Sequence, residues 1–198
     1  MVSTVPAITN RERLIAHSRR LFTEHGFAEV SVDQIAAAAG LTKGAVYYQF
    51  RDKTDLFRAA CEAMLVDVAH AVDEATMGVT EHAVDEIVTG GDKWLDVYES
   101  PEMRRMLLID GPAVLGVQAW MTLQEPVGVG LIAHALGHLV EAEMLRDEDV
   151  PALAHLLFGA FVQGALRIAA SAEPEQTSLE VRQAIRLLTE GLMKRNRL

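Results

Sequence analysis

The segment from residue 31 to residue 53, SVDQIAAAAGLTKGAVYYQFRDK, constrains the fold of this chain more than any other. Ser31 and Gln34 have the spacing of a capping box, which predicts the start of a short helix. Gly40 suits the positive φ that ends a helix, and Thr42 is a good N-cap for a second short helix. Two short helices joined by a tight turn that contains glycine form a helix-turn-helix.

The second of these helices has small residues at its N-terminus and large polar residues further along. Backbone N–H groups at a helix N-terminus favour phosphate, and small residues there allow a close approach to base edges. Tyrosine hydroxyls and lysine ammonium groups reach phosphate oxygens. The candidate DNA-binding residues are therefore Ser31, Thr42, Lys43, Gly44, Ala45, Tyr47, Tyr48, Gln49 and Lys53. The competing interpretation is a helix pair that serves only as a packing unit.

The residues from Thr9 to Leu56 also resemble the N-terminal domain of TetR-type transcriptional regulators. The resemblance rests on TNRERLI at 9–15, LFTEHGF at 21–27, SVDQIAAAAG at 31–40, and KGAVYYQF at 43–50 with Lys53. It implies an all-helical homodimer that binds palindromic operator DNA, usually as a repressor, and is usually released by a small molecule. The stretch LLIDGPAVLG at 107–116 is similar to one recurrent type of C-terminal domain in that family.

Helical patterns extend over almost the whole chain, and Val, Ile and Thr do not form alternating strand-like runs. We predict an all-α fold of about nine to ten helices in two domains. A three-helix DNA-binding domain is expected at 1–53, and a larger ligand-binding and dimerisation domain at 54–198. Beyond the first domain, helices are expected at about 53–76, 81–98, 101–110, 112–144, 151–171 and 178–194, with a kink or break near Pro126.

The formal net charge of −10 is unusual for a DNA-binding protein, but the charge is distributed unevenly along the chain. Residues 1–60 carry a net charge of +2, and residues 61–198 carry −12. Phosphate contacts supply most of the sequence-independent affinity for DNA, so the local balance matters more than the total. Because a +2 domain is only weakly basic, tight binding should require two copies side by side.

The last two predicted helices, 151–171 and 178–194, carry apolar residues on more than one face. Gly159 and Gly164 are small enough to let another helix approach closely. Helices that are apolar on two sides need partners on both, so we predict a homodimer with a four-helix interface. The alternative is that other helices of the same chain cover both faces.

Soft and aromatic residues between these two ends could line an adaptable pocket for an apolar or weakly polar organic effector. The candidates are Met64, Trp94, Tyr98, Met106, Asp110, Gln118, Trp120, Met121, Phe161 and Gln163. For each apolar candidate, simple core packing is the competing interpretation. Asp110 is flanked by apolar residues and must cap the helix that begins at Pro112, be paired, or face a cavity. The capping role is the favoured one.

No nucleotide-binding, zinc-protease or nucleophile-elbow motif stands out, so an enzyme is not predicted. The remaining competing classes are an enzyme without a recognisable motif and a dimeric interaction module that does not use DNA. His134, His138 and Glu141 lie one or two turns apart along one helix face, as metal ligands often do. No fourth ligand can be named, so neither a metal nor a cofactor is predicted.

The expected location is the cytoplasm. The N-terminus lacks the basic start and long apolar run of a signal peptide. The apolar stretch from Val127 to Val140 is too short to span a bilayer, so no membrane association is predicted. Cys61 is the single cysteine, which excludes a disulfide within the chain and a cysteine zinc site.

Overall fold

The computed structural model describes residues 8–78 and 83–194, and every regular element in these two ranges is helical. The helices are α1 (Asn10–His25), α2 (Val32–Ala38), α3 (Lys43–Gln49), α4 (Lys53–Thr76), α5 (Ala83–Glu99), α6 (residues 101–115), α7 (residues 117–141), α8 (Val150–Ala170) and α9 (Pro174–Lys194). Wide π-helical turns lie within α6 at Arg104–Asp110 and within α7 at Glu125–Val129, and a 3-10 turn, Asp147–Asp149, precedes α8. The predicted all-α fold of about nine to ten helices is confirmed.

Local hydrogen bonds account for the starts of the first helices. The Thr9 hydroxyl accepts from the Glu12 N–H at 3.2 Å, and the Glu12 carboxylate accepts from the Thr9 N–H at 2.7 Å. Ser31 and Gln34 form the same reciprocal pair at the start of α2, at 3.2 and 2.7 Å. The Asp52 carboxylate accepts from a first-turn N–H of α4 at 2.8 Å. The predicted capping box at Ser31 and the predicted start of α4 are confirmed.

Two predicted boundaries in the second half of the chain are wrong. The helix that contains Asp110 does not stop at Gly111, because Asp110 has helical angles (φ −73°, ψ −35°) and α6 continues to Gly116, where φ is +80°. The last helix begins at Pro174 and not at residue 178, with proline in the first turn where its missing N–H costs nothing. The predicted start near Glu81 lies outside the described residues.

The chain divides into two compact units, and the first combines two stretches, up to Met64 and from Arg105 to Trp120. Its core includes the rings of Phe22, Phe27 and Phe57, whose centroids lie 5.2–5.6 Å apart. Since the first turns of α4 contribute to this core, unit 1 extends past the predicted domain boundary at residue 53.

The second unit contains Leu65–Arg104 and the chain from Met121 onward. In it, α8 packs against α5, α7 and α9. A buried apolar cluster holds α5, α7 and α8 together: Val84, Ile87, Val88, Ala135, Leu136, Leu139, Ala154 and Leu157. Arg182 of α9 reaches α5, where its guanidinium donates to the Asp96 carboxylate at 2.6 Å and to the Asp92 carbonyl at 2.9 Å.

The segment Asp147–Ala170, which includes α8, is long and apolar enough to cross a membrane by length and composition, with a mean hydropathy of 1.5. A helix from the core of a soluble protein passes the same test. Only 33% of the most apolar 18-residue stretch of this segment is buried within the chain. Much of α8 therefore presents an apolar surface that the single chain leaves uncovered.

Candidate DNA interface and ligand cavity

A tight turn and one cap fix the position of α3. Gly40 has a φ of +63°, and the Leu41 N–H donates back to the Ala36 carbonyl at 2.9 Å. The Thr42 hydroxyl then accepts from the Ala45 N–H at 3.2 Å and caps α3, as predicted. Val46 is only 2% exposed. This residue anchors the inner face of α3 and turns the opposite face outward.

The outward face of α3 is open and polar. Tyr48 is 87% exposed and Tyr47 is 51% exposed, which is unusual for such large side chains. A Cβ atom at Gly44 would meet only the Thr42 hydroxyl oxygen, at 3.8 Å, so nothing obstructs the N-terminus of α3. Two hydroxyls and an unobstructed helix N-terminus on one surface can donate several hydrogen bonds to phosphate oxygens.

Lys43 and Asp33 link the first turns of α3 and α2 across this surface. The Lys43 ammonium donates to the Asp33 carboxylate at 2.8 Å, and both side chains are more than half exposed. The hydrogen bond from Lys43, and then the negative charge of Asp33, raise the pKa of the ammonium above its usual value. Lys43 is therefore cationic and held at the edge of the surface that the tyrosines form.

Lys53 has a different environment from the other candidate DNA-binding residues. Its ammonium donates to the carbonyls of Phe27 at 2.8 Å and Val30 at 3.0 Å, and lies 3.5 Å from that of Ala28. It also lies 4.3 Å from the centre of the Phe27 ring. Lys53 thus ties the first turn of α4 to the loop between α1 and α2.

Unit 2 contains a partly open cavity of about 200 Å³ among α4, α5, α7 and α8. Most of its lining is apolar, and the ionisable side chains in the lining are Asp73, Glu86 and His134. The described residues that line it are Val72, Asp73, Thr76, Met77, Glu86, Ile87, Gly90, Gly91, Trp94, Val127, Gly128, Leu131, Ile132, His134, Ala135, Phe158 and Phe161. A concave apolar site with a few polar groups is typical of small-molecule binding.

Two glycines make room for the aromatic wall of this cavity. A Cβ atom at Gly91 of α5 would overlap the ring of Phe161, and one at Gly128 of α7 would overlap the ring of Phe158. Both rings come from α8 and lie 6.1 Å from the ring of Trp94, measured between centroids. The rings can occupy these positions only because α5 and α7 have no side chain there.

Two family models match the chain. Residues 14–60 match the model described as "Bacterial regulatory proteins, tetR family", which covers α2, α3 and the start of α4. Residues 84–192, more than half of the chain, match a "Tetracyclin repressor-like, C-terminal domain". The chain belongs to the TetR family of transcriptional regulators. Proteins of this family are DNA-binding regulators and not enzymes, so the predicted family and class are confirmed.

Similar proteins support the TetR assignment at both ends of the chain. The transcriptional regulator AcrR of Shigella flexneri is 45% identical over 47 residues, which are 24% of this chain and 22% of AcrR. A TetR-family regulator from Pectobacterium atrosepticum has a similar structure, with a TM-score of 0.75, 27% identity, and coverage of 92% of this chain and 93% of that one. The fold is also shared with RolR in complex with resorcinol, at 16% identity, a TM-score of 0.72, and coverage of 93% and 91%.

The sequence matches to curated relatives are short. The chain spans about a fifth of the length of AcrR and about a third of the repressor AcnR of Corynebacterium efficiens.

Of the ten residues predicted to bind a ligand, two line the cavity of this TetR-family protein, Trp94 and Phe161. Tyr98 is buried and stacks on Trp94 with 3.9 Å between ring centroids. Met121 and Gln163 lie at exposed positions of unit 2. The other five belong to unit 1: Met64, Met106, Asp110, Gln118 and Trp120.

The capping role predicted for Asp110 is wrong. Its carboxylate makes no capping hydrogen bond, since Asp110 itself lies within a continuous helical run. The Asp110 Oδ2 atom is buried without a hydrogen-bond partner among the described residues, at 3.5 Å from the Arg105 Nε atom. That distance fits an ion pair and not a hydrogen bond, so pairing is the role that the structure supports.

The two histidines on α7 contact each other, and His138 also contacts a carboxylate. His138 Nδ1 lies 2.7 Å from a Glu86 carboxylate oxygen, and the His134 and His138 rings meet edge to face with centroids 4.9 Å apart. Within the described residues, no group of three or more potential ligands is arranged for a metal ion.

The sequence did not predict Glu86 and Phe158 as cavity residues, because their side chains meet the cavity only through tertiary packing. The Gly90-Gly91 pair in α5 was the available signal.

Proposed function

We propose that this TetR-family protein is a homodimeric regulator that places α3 of each subunit in successive major grooves of a roughly palindromic operator. The half-sites would lie about one helical turn apart. The observation that carries this proposal is the surface of α3, where Tyr47 and Tyr48 are exposed beside an unobstructed helix N-terminus. A small molecule in the cavity of unit 2 then lowers the affinity for DNA, and the protein acts as a repressor in the cytoplasm.

The candidate DNA-binding residues fall into two groups, those that contact phosphates and those that lie near base edges. Thr42, Tyr47, Tyr48 and Lys53 contact the phosphate backbone and set the register, whereas four other residues of α3, three in its first turn and one at its last position, face the bases. The residues nearest the base edges are Lys43, Gly44, Ala45 and Gln49. Ser31 lies at the N-terminus of α2, where it supports the helix pair through its capping box.

Dimerisation uses the uncovered surface of α8 and α9. Leu156 is 71% exposed on α8, and Leu187 and Leu188 are 59% and 56% exposed on α9. A Cβ atom at Gly159 would meet nothing within 4 Å, so a second helix can approach there. Gly164 faces the other way, because its Cβ would lie 2.7 Å from Val181 of the same chain. Apolar side chains exposed together on two adjacent helices are typical of an interface.

The ligand acts by preferring one arrangement of the dimer. If it binds more tightly to a state whose two α3 helices do not fit the operator, it lowers DNA affinity by that difference and by no more. The mostly apolar cavity supports a small organic ligand. The complex of RolR with resorcinol is a precedent for such a ligand on the same fold.

The test is fluorescence anisotropy with labelled DNA from the promoter region beside the gene. The purified protein should bind this DNA as a dimer, and Tyr48→Ala should weaken binding about tenfold or more. Tyr48→Phe is the matched control, since it removes only the hydroxyl and separates the phosphate contact from the ring. Because Tyr48 is exposed, both variants should keep the melting temperature of the unsubstituted protein. Unchanged DNA affinity in Tyr48→Ala would contradict the proposed docking.

A further inference from the structure

We propose that the cavity of unit 2 binds an amphipathic organic cation, with an aromatic or branched apolar body and an ammonium group. This inference rests on the proposed function for its effect on DNA, and concerns the chemistry of the effector. It differs from the apolar or weakly polar ligand that the sequence predicts, because the polar part of the lining consists of two carboxylates with Thr76 and His134, and of no amide side chain among the described residues.

The charges around the cavity favour a cation. Asp73 and Glu86 are both part of the lining, and its described residues include no lysine or arginine. An anion entering this space would lose its hydration and face two carboxylates, whereas a cation would exchange its hydration for their attraction. The charge pattern therefore favours amines and quaternary ammonium compounds over fatty-acid-like and phosphorylated ligands.

Glu86 is the better placed of the two carboxylates. Its side chain is 16% exposed, so its charge is less screened by solvent than that of the exposed Asp73. The His138 ring nitrogen at 2.7 Å fixes the orientation of the carboxylate.

The aromatic wall provides the second half of the recognition. Trp94 has Tyr98 stacked on it, and Phe158 and Phe161 lie 6.1 Å from its ring centre. Aromatic faces attract cations, and tryptophan does so most strongly. One cavity thus combines three aromatic rings with two carboxylates, which matches a ligand that has both an apolar body and a positive charge.

Three probes of one shape can separate charge from size. Benzyltrimethylammonium, benzyl methyl sulfone and benzylsulfonate share the benzyl group and a tetrahedral head, and carry charges of plus one, zero and minus one. Isothermal titration calorimetry with the full chain should give an ammonium affinity about tenfold above that of the sulfone. The sulfonate should bind more weakly than either. The chain has two tryptophans, Trp94 and Trp120, so fluorescence quenching by the ammonium that is lost in Trp94→Phe would place binding in the cavity, which Trp94 lines.

Substitution of the carboxylate provides the matched control. Glu86→Gln keeps the shape of the side chain and should reduce ammonium affinity about tenfold while leaving the sulfone unchanged. Asp85→Asn removes the same charge from the neighbouring exposed position, which is not part of the lining, and should change neither. If Glu86→Gln weakens folding, Asp73→Asn offers the same comparison at the second carboxylate.

The outcomes distinguish this inference from the proposed function. Equal or tighter binding of the sulfone or sulfonate, an equal loss in Asp85→Asn, or no binding of any probe would overturn the cation site. Such results would leave operator binding by α3 untouched. Tight ammonium binding by a protein that does not bind its promoter DNA would instead support the cation site and contradict the proposed regulator.

Discussion

Lys53 is expected to stabilise unit 1 whether or not it also contacts DNA. Lys53→Met keeps most of the aliphatic chain and removes the ammonium that donates to the carbonyls of Phe27 and Val30. Hydrogen bonds of a charged group contribute roughly 1.5–3 kcal/mol each, and a cation–π contact contributes about 0.5–1 kcal/mol. Because all these contacts share one ammonium, they do not add, and the expected loss in free energy of unfolding is about 2–3 kcal/mol.

The measurement is thermal unfolding followed by circular dichroism. For a chain of this size, the melting temperature should fall by about 4–10 °C. Lys43→Met is the matched control, since the Lys43 ammonium pairs only across an exposed surface with Asp33 and should leave the melting temperature unchanged. A melting temperature of Lys53→Met within about 1 °C of the unsubstituted protein would refute the reasoning.

The salt dependence of DNA binding then separates the two roles of Lys53. If its ammonium also reaches a phosphate, Lys53→Met should lower the slope of log affinity against log salt by about one unit per subunit. If the loop carbonyls occupy it fully, the slope should stay the same while stability falls. Lys43→Met should change DNA affinity without changing stability.

Three further predictions follow from the same structure. Leu188→Glu should convert the dimer to a folded monomer without operator binding, because a buried unpaired carboxylate is costly at the proposed interface; a dimer by light scattering would place the interface elsewhere. Cys61 should resist thiol reagents at pH 8 in the folded protein and react on unfolding, because burial, and then the charge of Asp110, raise the pKa of its thiol to about 12. Rapid labelling of the folded chain would contradict this. Arg182→Met should lower the midpoint of urea unfolding by an amount equivalent to about 1–2 kcal/mol, because Asp92 and Asp96 of α5 lose the arginine that they share. An unchanged midpoint would show that these ion pairs contribute nothing to stability.

The sequence predicted those features that depend on residues close together in the chain. The Ser31–Gln34 capping box and the Thr42 cap involve a side chain and a backbone three residues apart, so the spacing alone identifies them. The predicted helix end at Gly111-Pro112 is wrong because the π-helical turn before Gly111 lets the helix continue through these two residues. The exposure of Tyr47 and Tyr48 also follows from the sequence, since a helix of seven residues is too short to bury both side chains.

The cavity depends on contacts that no local pattern contains. Phe158 and Phe161 are separated from the glycines they pack on by 30 and 70 residues, and their rings reach the cavity only when α8 crosses α5 and α7. The apolar candidates in unit 1 have the same composition as cavity residues, yet Met64 and Met106 are fully buried core residues. Composition can therefore predict that a cavity is possible, but not which side chains line it.

The two-stretch construction of unit 1 has a consequence for protein engineering. The Arg105 guanidinium donates to the Thr23 carbonyl at 3.0 Å near the end of α1, and the absence of a side chain at Gly26 leaves room for it. A hybrid regulator that joins residues 1–64 of this chain to the effector domain of another would lack Arg105 and the rest of Arg105–Trp120. A transplant of the DNA specificity of this protein should therefore carry the second stretch with it, or supply a replacement arginine opposite Gly26.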